Sequence, residues 1–156
     1  MKTLLVLAWM LVATAATQAC AEGDLVVSRA VKGEYSEVRE RLVLAIELQG
    51  LVVDHTSKVG EMLARTAKDL GTGRRIYGEA EVLQFCSAVA SRQMVEADAA
   101  LLAFCPYGIA VYTLASDPYT TYLAFRRPSA GASGAQKTAL ERVDALLTTI
   151  VDEAAR

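Results

Sequence analysis

Two short runs constrain this chain more than anything else in it: Phe85-Cys86-Ser87-Ala88, and Phe104-Cys105-Pro106-Tyr107 with the apolar stretch that follows. The chain has three cysteines, and its N-terminus decides how many of them reach the folded protein. Lys2 supplies a short positive region, Leu4 to Ala13 an apolar core of about ten residues, and small residues follow, which is the pattern of a secretory leader. Crossing a membrane takes roughly 20 apolar residues, and Thr14, Thr17 and Gln18 interrupt this run too early. Ala19-Cys20-Ala21 fits the small-residue cleavage site of such leaders, so residues 1–21 are expected to be removed. Lipidation of Cys20 would call for a leucine-like and a small residue ahead of it, which Thr17-Gln18-Ala19 does not supply. The mature chain is expected to begin at Glu22, to be periplasmic or secreted with no stable membrane insertion, and to keep Cys86 and Cys105 as an even pair.

The length left after cleavage suits one domain with its own core. Sixteen basic and eighteen acidic residues nearly balance. No basic block is present that could neutralise a run of phosphates, which argues against nucleic-acid binding.

Asp24 to Val31 reads as a strand; Ser36 can cap a helix carrying Val38, Leu42, Ala45 and Leu48 at helical spacing, and Gly50 stops it. Leu51-Val52-Val53 opens a second strand. Thr56 or Ser57 can cap a second helix, whose stripe of Val59, Met62, Leu63, Thr66 and Leu70 is expected to be buried. Ile76 to Cys86 reads as extended, and Ser87 as the N-cap of a helix from Ala88 to Ala97 that Asp98 closes. Ala100 to Phe104, Ile109 to Leu114 and Thr120 to Arg126 are three strand candidates in an expected antiparallel meander. After a small-residue linker, residues 128–135, Gln136 to Ala154 reads as a helix with Leu140, Val143, Leu147 and Ile150 buried and Glu141, Arg142, Asp144 and Glu153 in water. Strands and helices in this order predict an α+β domain over residues 22–127, one antiparallel sheet with helices on one face, and a C-terminal helix, residues 136–156, packing on it or on a second subunit.

For Cys86 and Cys105 in an oxidising compartment, a structural disulfide is the first reading. A redox pair is the second, because a thiol ahead of a helix N-terminus is activated, although the two are not in a C-x-x-C arrangement. A copper(I) site is the third, with His55, Met62 and Met94 as further soft ligands; against it, both methionines fall on apolar stripes. Arg92 with Asp98 could clamp an anion or could simply be solvated. Tyr107, Tyr112, Tyr119 and Tyr122 could line a ligand face or could serve as ordinary strand residues. Ser87 and Ser91 lack the G-x-S-x-G setting of a hydrolase, and His55 is the only histidine, so hydrolysis has no support. No cofactor is called for by any motif.

Phe85-Cys86-Ser87-Ala88, Ser91-Arg92, Met94, Ala97-Asp98 and Phe104-Cys105-Pro106-Tyr107, with Ile109 and Val111-Tyr112, together resemble the family called domain of unknown function 302. The likeness is to its exported bacterial branch and runs from about Val26 to Arg127. It implies an α+β arrangement similar to that of the TATA-binding protein, a curved antiparallel sheet with helices on one side, and it implies no activity. Where the commoner form of the family has "GNPK.GT", this chain has Tyr77-Gly78-Glu79-Ala80-Glu81, and where that form has "DLPL" it has Ala103-Phe104-Cys105-Pro106. Two functional classes follow: a binding or interaction module, as a homodimer or with a periplasmic protein partner, or a thiol-redox or copper-handling protein using Cys86 and Cys105.

Overall fold

The structure is a computed structural model and describes residues 25–67 and 69–156; the leader, Cys20 and the expected start at Glu22 lie outside the described residues. Strands Val26–Lys32 (β1), Val53–Ser57 (β2), Tyr77–Phe85 (β3), Tyr107–Leu114 (β4) and Asp117–Arg126 (β5) form one antiparallel sheet in the order β1-β5-β4-β3-β2. Four α-helices complete the domain: Tyr35–Leu48 (α1), Val59–Thr66 (α2), Ala88–Ala97 (α3) and Gly134–Ala154 (α4). The α+β class and the open antiparallel sheet are as expected. No described helix is long and apolar enough to cross a membrane.

Alternation along the central strand decides where the core lies. Tyr107, Ile109, Val111 and Thr113 of β4 are buried, whereas Gly108, Ala110, Tyr112 and Leu114 are not, because successive side chains of a strand point to opposite faces. The buried set meets Leu83 and Phe85 of β3, Leu123 and Phe125 of β5, and the apolar stripes of α1 and α4. Leu140, Val143, Leu147 and Ile150 are at most 2% exposed, so α4 packs on its own sheet.

Four expectations need correction. The apolar run Ala99–Phe104 is a 3-10 helix and not a strand. Asp98 caps it by accepting the Ala100 N–H at 2.8 Å, and the meander strand expected there is supplied by β3. Helix α2 buries none of its residues; it packs against β3, with Gly60 against Ala80, and leaves Met62 and Leu63 exposed, while Leu70 lies exposed beyond its end. Asp144, expected in water, is buried, because its carboxylate accepts from the Ser129 hydroxyl and, at 3.5 Å, from the Ser129 N–H. That contact ties the segment after β5 to α4. Finally, α1 is preceded by Glu34 and α2 by Lys58, neither making a side-chain cap, where Ser36 and Thr56 or Ser57 had been expected. Ser87 does cap α3, its hydroxyl accepting the Ala90 N–H at 3.3 Å.

The α2–β3 contact is close enough to test. A Cβ on Gly60 would stand 2.9 Å from the backbone nitrogen of Ala80, a main-chain atom that cannot rotate away. Gly60→Ala is expected to lower stability by about 1–3 kcal/mol in denaturant unfolding despite the better helix propensity of alanine. Gly73→Ala, where a Cβ meets nothing within 4 Å, serves as the neutral control.

Candidate functional site

Two groups of candidate residues form on the two faces of the sheet. The first is built by the β3–β4 ladder. Phe85 lies opposite Tyr107, so Cys86, just past Phe85, and Cys105, two residues before Tyr107, leave the ladder at the same end. The Cys105–Pro106 peptide is cis. Ser91 of α3 fills the space between: its Oγ lies 3.3 Å from Cys105 Sγ and 3.1 Å from the Tyr107 hydroxyl. Tyr107 is buried and meets Phe85 edge to face, with ring centroids 6.2 Å apart.

Both cysteines are free thiols, Cys86 exposed and Cys105 half-buried, and the expected disulfide is not formed. Cys105 Sγ is instead engaged with Ser91. The Cys86 thiol is pushed up from its ordinary pKa by its surroundings' poor solvation, then by the charge of Cys105, that of Asp54, and a hydrogen bond with Cys105. The shift is opposite in direction to the activation expected from a place ahead of the α3 N-terminus. Burial likewise raises the Tyr107 phenol, while its hydrogen bond with Ser91 opposes the rise.

The copper set is not assembled. Met94 is fully buried in the core. Met62 sits on α2, whose contact with β3 is at Ala80, roughly 20 Å of strand from Cys86 at about 3.3 Å per residue. His55 is exposed on β2, opposite Gln84. Among the described residues no group of three or more His, Cys, Asp or Glu side chains could hold a metal ion. Arg92 pairs with Glu96 at the surface. Asp98 is occupied by Ala100 and by the Gln136 amide at 2.6 Å.

The second group lies on the face that α1 and α4 do not cover. Tyr112 stacks on Tyr122 with centroids 5.2 Å apart, and Tyr77 meets Tyr112 edge-on at 5.4 Å. Tyr107 is on the opposite face and Tyr119 is exposed, so the four tyrosines named from the sequence divide between settings. Beside the stack the face is floored by small residues: Ala110 lies opposite Ala124 of β5 and Val82 of β3, and Gly108 opposite Gln84. A Cβ on Gly108 would meet Val82 Cγ1 at a tight 3.2 Å. The floor is a depression of about 250 Å³ that reaches Arg126 and Pro106. Around the end of the sheet it adjoins a cavity of about 380 Å³ lined by Leu25, Phe104, Tyr107 and Leu147. Sequence reading missed this groove, because no residue in it is unusual alone and only the strand order brings Val26, Gly108 and Arg126 together.

Comparisons with known proteins agree with this architecture. The family model described as domain of unknown function DUF302 matches residues 27–154. The chain belongs to this family. The match continues through α4, beyond the stretch over which the resemblance was read. The crystal structure of an uncharacterized conserved DUF302 protein from Bacillus stearothermophilus is similar, with a TM-score of 0.70 at 18% identity, over 85% of this chain and 99% of that one. At that identity the likeness speaks for the DUF302 fold alone. No curated protein matches the chain.

The thiol geometry predicts a pH profile. A raised pKa means less thiolate at neutral pH, so alkylation of Cys86 is expected to be slower at pH 7 than that of a cysteine in an unstructured peptide, with its midpoint at higher pH. Cys105→Ser removes two of the raising influences and is expected to move the midpoint down, as followed by mass spectrometry of the Cys86 peptide. A wild-type midpoint at or below that of the free peptide would contradict this account.

Proposed function

We propose that this DUF302 protein is a small exported binding module that takes an apolar ligand on the uncovered face of its sheet. One observation carries the reading. The face opposite α1 and α4 is concave beside the Tyr112–Tyr122 stack, is floored by Gly108, Ala110 and Ala124, and runs into the cavity at Pro106. Small residues on a floor and aromatic rings at its side are what a flat or chain-like apolar group needs for close contact. The secretory leader supports action outside the cytoplasm.

Binding of the neutral dye Nile red tests this. Wild-type protein is expected to bind it saturably, and Ala110→Arg, which places a long cation on the floor, to weaken binding about tenfold or more, equivalent to ~1.4 kcal/mol, with the circular dichroism spectrum unchanged. No saturable binding overturns the reading. A concentration-dependent dimer that Ala110→Arg dissociates would put a second copy of the chain on this face instead.

A second reading is favoured by the two free thiols, Cys86 and Cys105, leaving the β3–β4 ladder at the same end. In an oxidising compartment the pair would pass two electrons and two protons to a small disulfide such as oxidised glutathione, forming the Cys86–Cys105 bond and releasing two glutathione thiols. The expected result is complete loss of both thiols in native protein with an intact mass lower by two hydrogens. Persistent free thiols, or stable glutathione adducts on both cysteines, would count against it.

A further inference from the structure

We infer that the groove selects an anionic single-chain amphiphile, such as a fatty carboxylate, with its head at Arg126 and its chain in the cavity between the end of the sheet and α4. This rests on the binding-module reading above and adds the chemical class of the ligand. The depression and the cavity share Val26, Pro106, Gly108 and Arg126, so they are two compartments of one channel. Together they fall in the size range of small-molecule sites, about 300–1,000 Å³.

The cavity reaches Phe104 and, beyond it, Tyr107 and Leu147, the last two each 2% exposed and part of the core. A ligand lying against them covers apolar carbon, which an alkyl chain favours. Arg126 lines both compartments, and among the described residues no Asp or Glu lines either. Arg126 is exposed and makes no ion pair among the described residues. A guanidinium with no ion-pair partner among the described residues, beside an apolar cavity, is complementary to a carboxylate, which it can hold in a two-toothed hydrogen bond.

The shape also sets this occupant apart from a second copy of the chain. Burial of a second copy takes roughly 800 Å² per partner, whereas the apolar surface here is confined to the few residues that line one cavity at the end of the sheet. Leu25, Val26 and Phe104 are exposed around its mouth, where a chain entering from solvent would first touch protein.

Decanoate and 1-decanol, titrated below their aggregation limits by calorimetry or Nile red displacement, separate the parts of this inference. Wild-type protein is expected to bind decanoate at least tenfold more tightly than 1-decanol. Arg126→Gln is expected to remove that preference while leaving 1-decanol binding unchanged. Val26→Asp, at an exposed edge position that does not disturb the core, is expected to abolish decanoate binding through charge repulsion at the mouth. Equal binding of decanoate by wild type and Arg126→Gln would overturn the inference, as would a preference for the alcohol. If Nile red binds and is displaced by neither compound, the binding module stands and the amphiphile is wrong. If nothing binds, both fall. A melting temperature within a degree or two of wild type for each variant keeps loss of fold from passing as loss of binding.

Discussion

The alternation of β4 governs this molecule. As the central strand it pairs with β3 on one side and β5 on the other, and its odd-numbered residues face α1 and α4 while its even-numbered ones do not. A one-residue slip would move the whole buried set onto the open face. Register is therefore fixed by the core, with Ile109 and Val111 fully buried. The same register fixes both candidate sites. It brings Tyr112 opposite Tyr122 and Ala110 opposite Ala124, and it sets Cys86 and Cys105 at one end of the β3–β4 ladder.

Elements whose signals are local were legible in the sequence. The α4 stripe, Leu140, Val143, Leu147 and Ile150, repeats at helical spacing over about three turns and is buried as read. Ser87 announces α3 because its hydroxyl can take the N–H three residues on, and β3 and β4 follow from runs of apolar and β-favouring residues. Ala99–Phe104 misled for a physical reason: a short apolar run has no periodicity to separate strand from helix. Asp98 settles the matter by capping a 3-10 turn. The exposed apolar side of α2 was equally hidden, since a hydrophobic stripe shows only that a helix has a preferred face, and β2 is too short to give that face a sheet to cover. Asp144 looked like a surface residue until Ser129 arrived from the segment after β5 to satisfy it, a pairing that spacing in sequence cannot show.

Polar anchoring also explains how the covered face tolerates charge. Arg39 of α1 reaches Glu81 of β3 at 2.5 Å, with the pair partly shielded from solvent. Tyr35 lies beside them, its phenol raised by burial and by the Glu81 carboxylate. A half-buried pair of this kind fixes the angle of a helix over a sheet more than it adds stability. Arg29 of β1 and Asp152 of α4 make a similar link at the surface, at 3.0 Å. Charged groups are thus placed at the margins of the α1 and α4 contacts, and the apolar interior between them is left to packing.

The thiols are free in the structure, and their electrostatics argue against an efficient exchange pair. A disulfide is broken by attack of a thiolate, and a leaving thiol departs faster when its pKa is low. Cys86 has a raised pKa from poor solvation and from Cys105, which makes it a slow leaving group and leaves little of it ionised at neutral pH. Efficient exchange cysteines show the opposite shift, stabilised by a helix N-terminus or a nearby cation. Here partial burial comes first, and the neighbouring charges, from Cys105 and Asp54, are both anionic when ionised. A bond between these sulfurs, once made outside the cytoplasm, would hold the start of α3 to the entry of β4 and be slow to open. That in turn would brace Pro106, where the β4 entry lines the groove on the other side of the sheet.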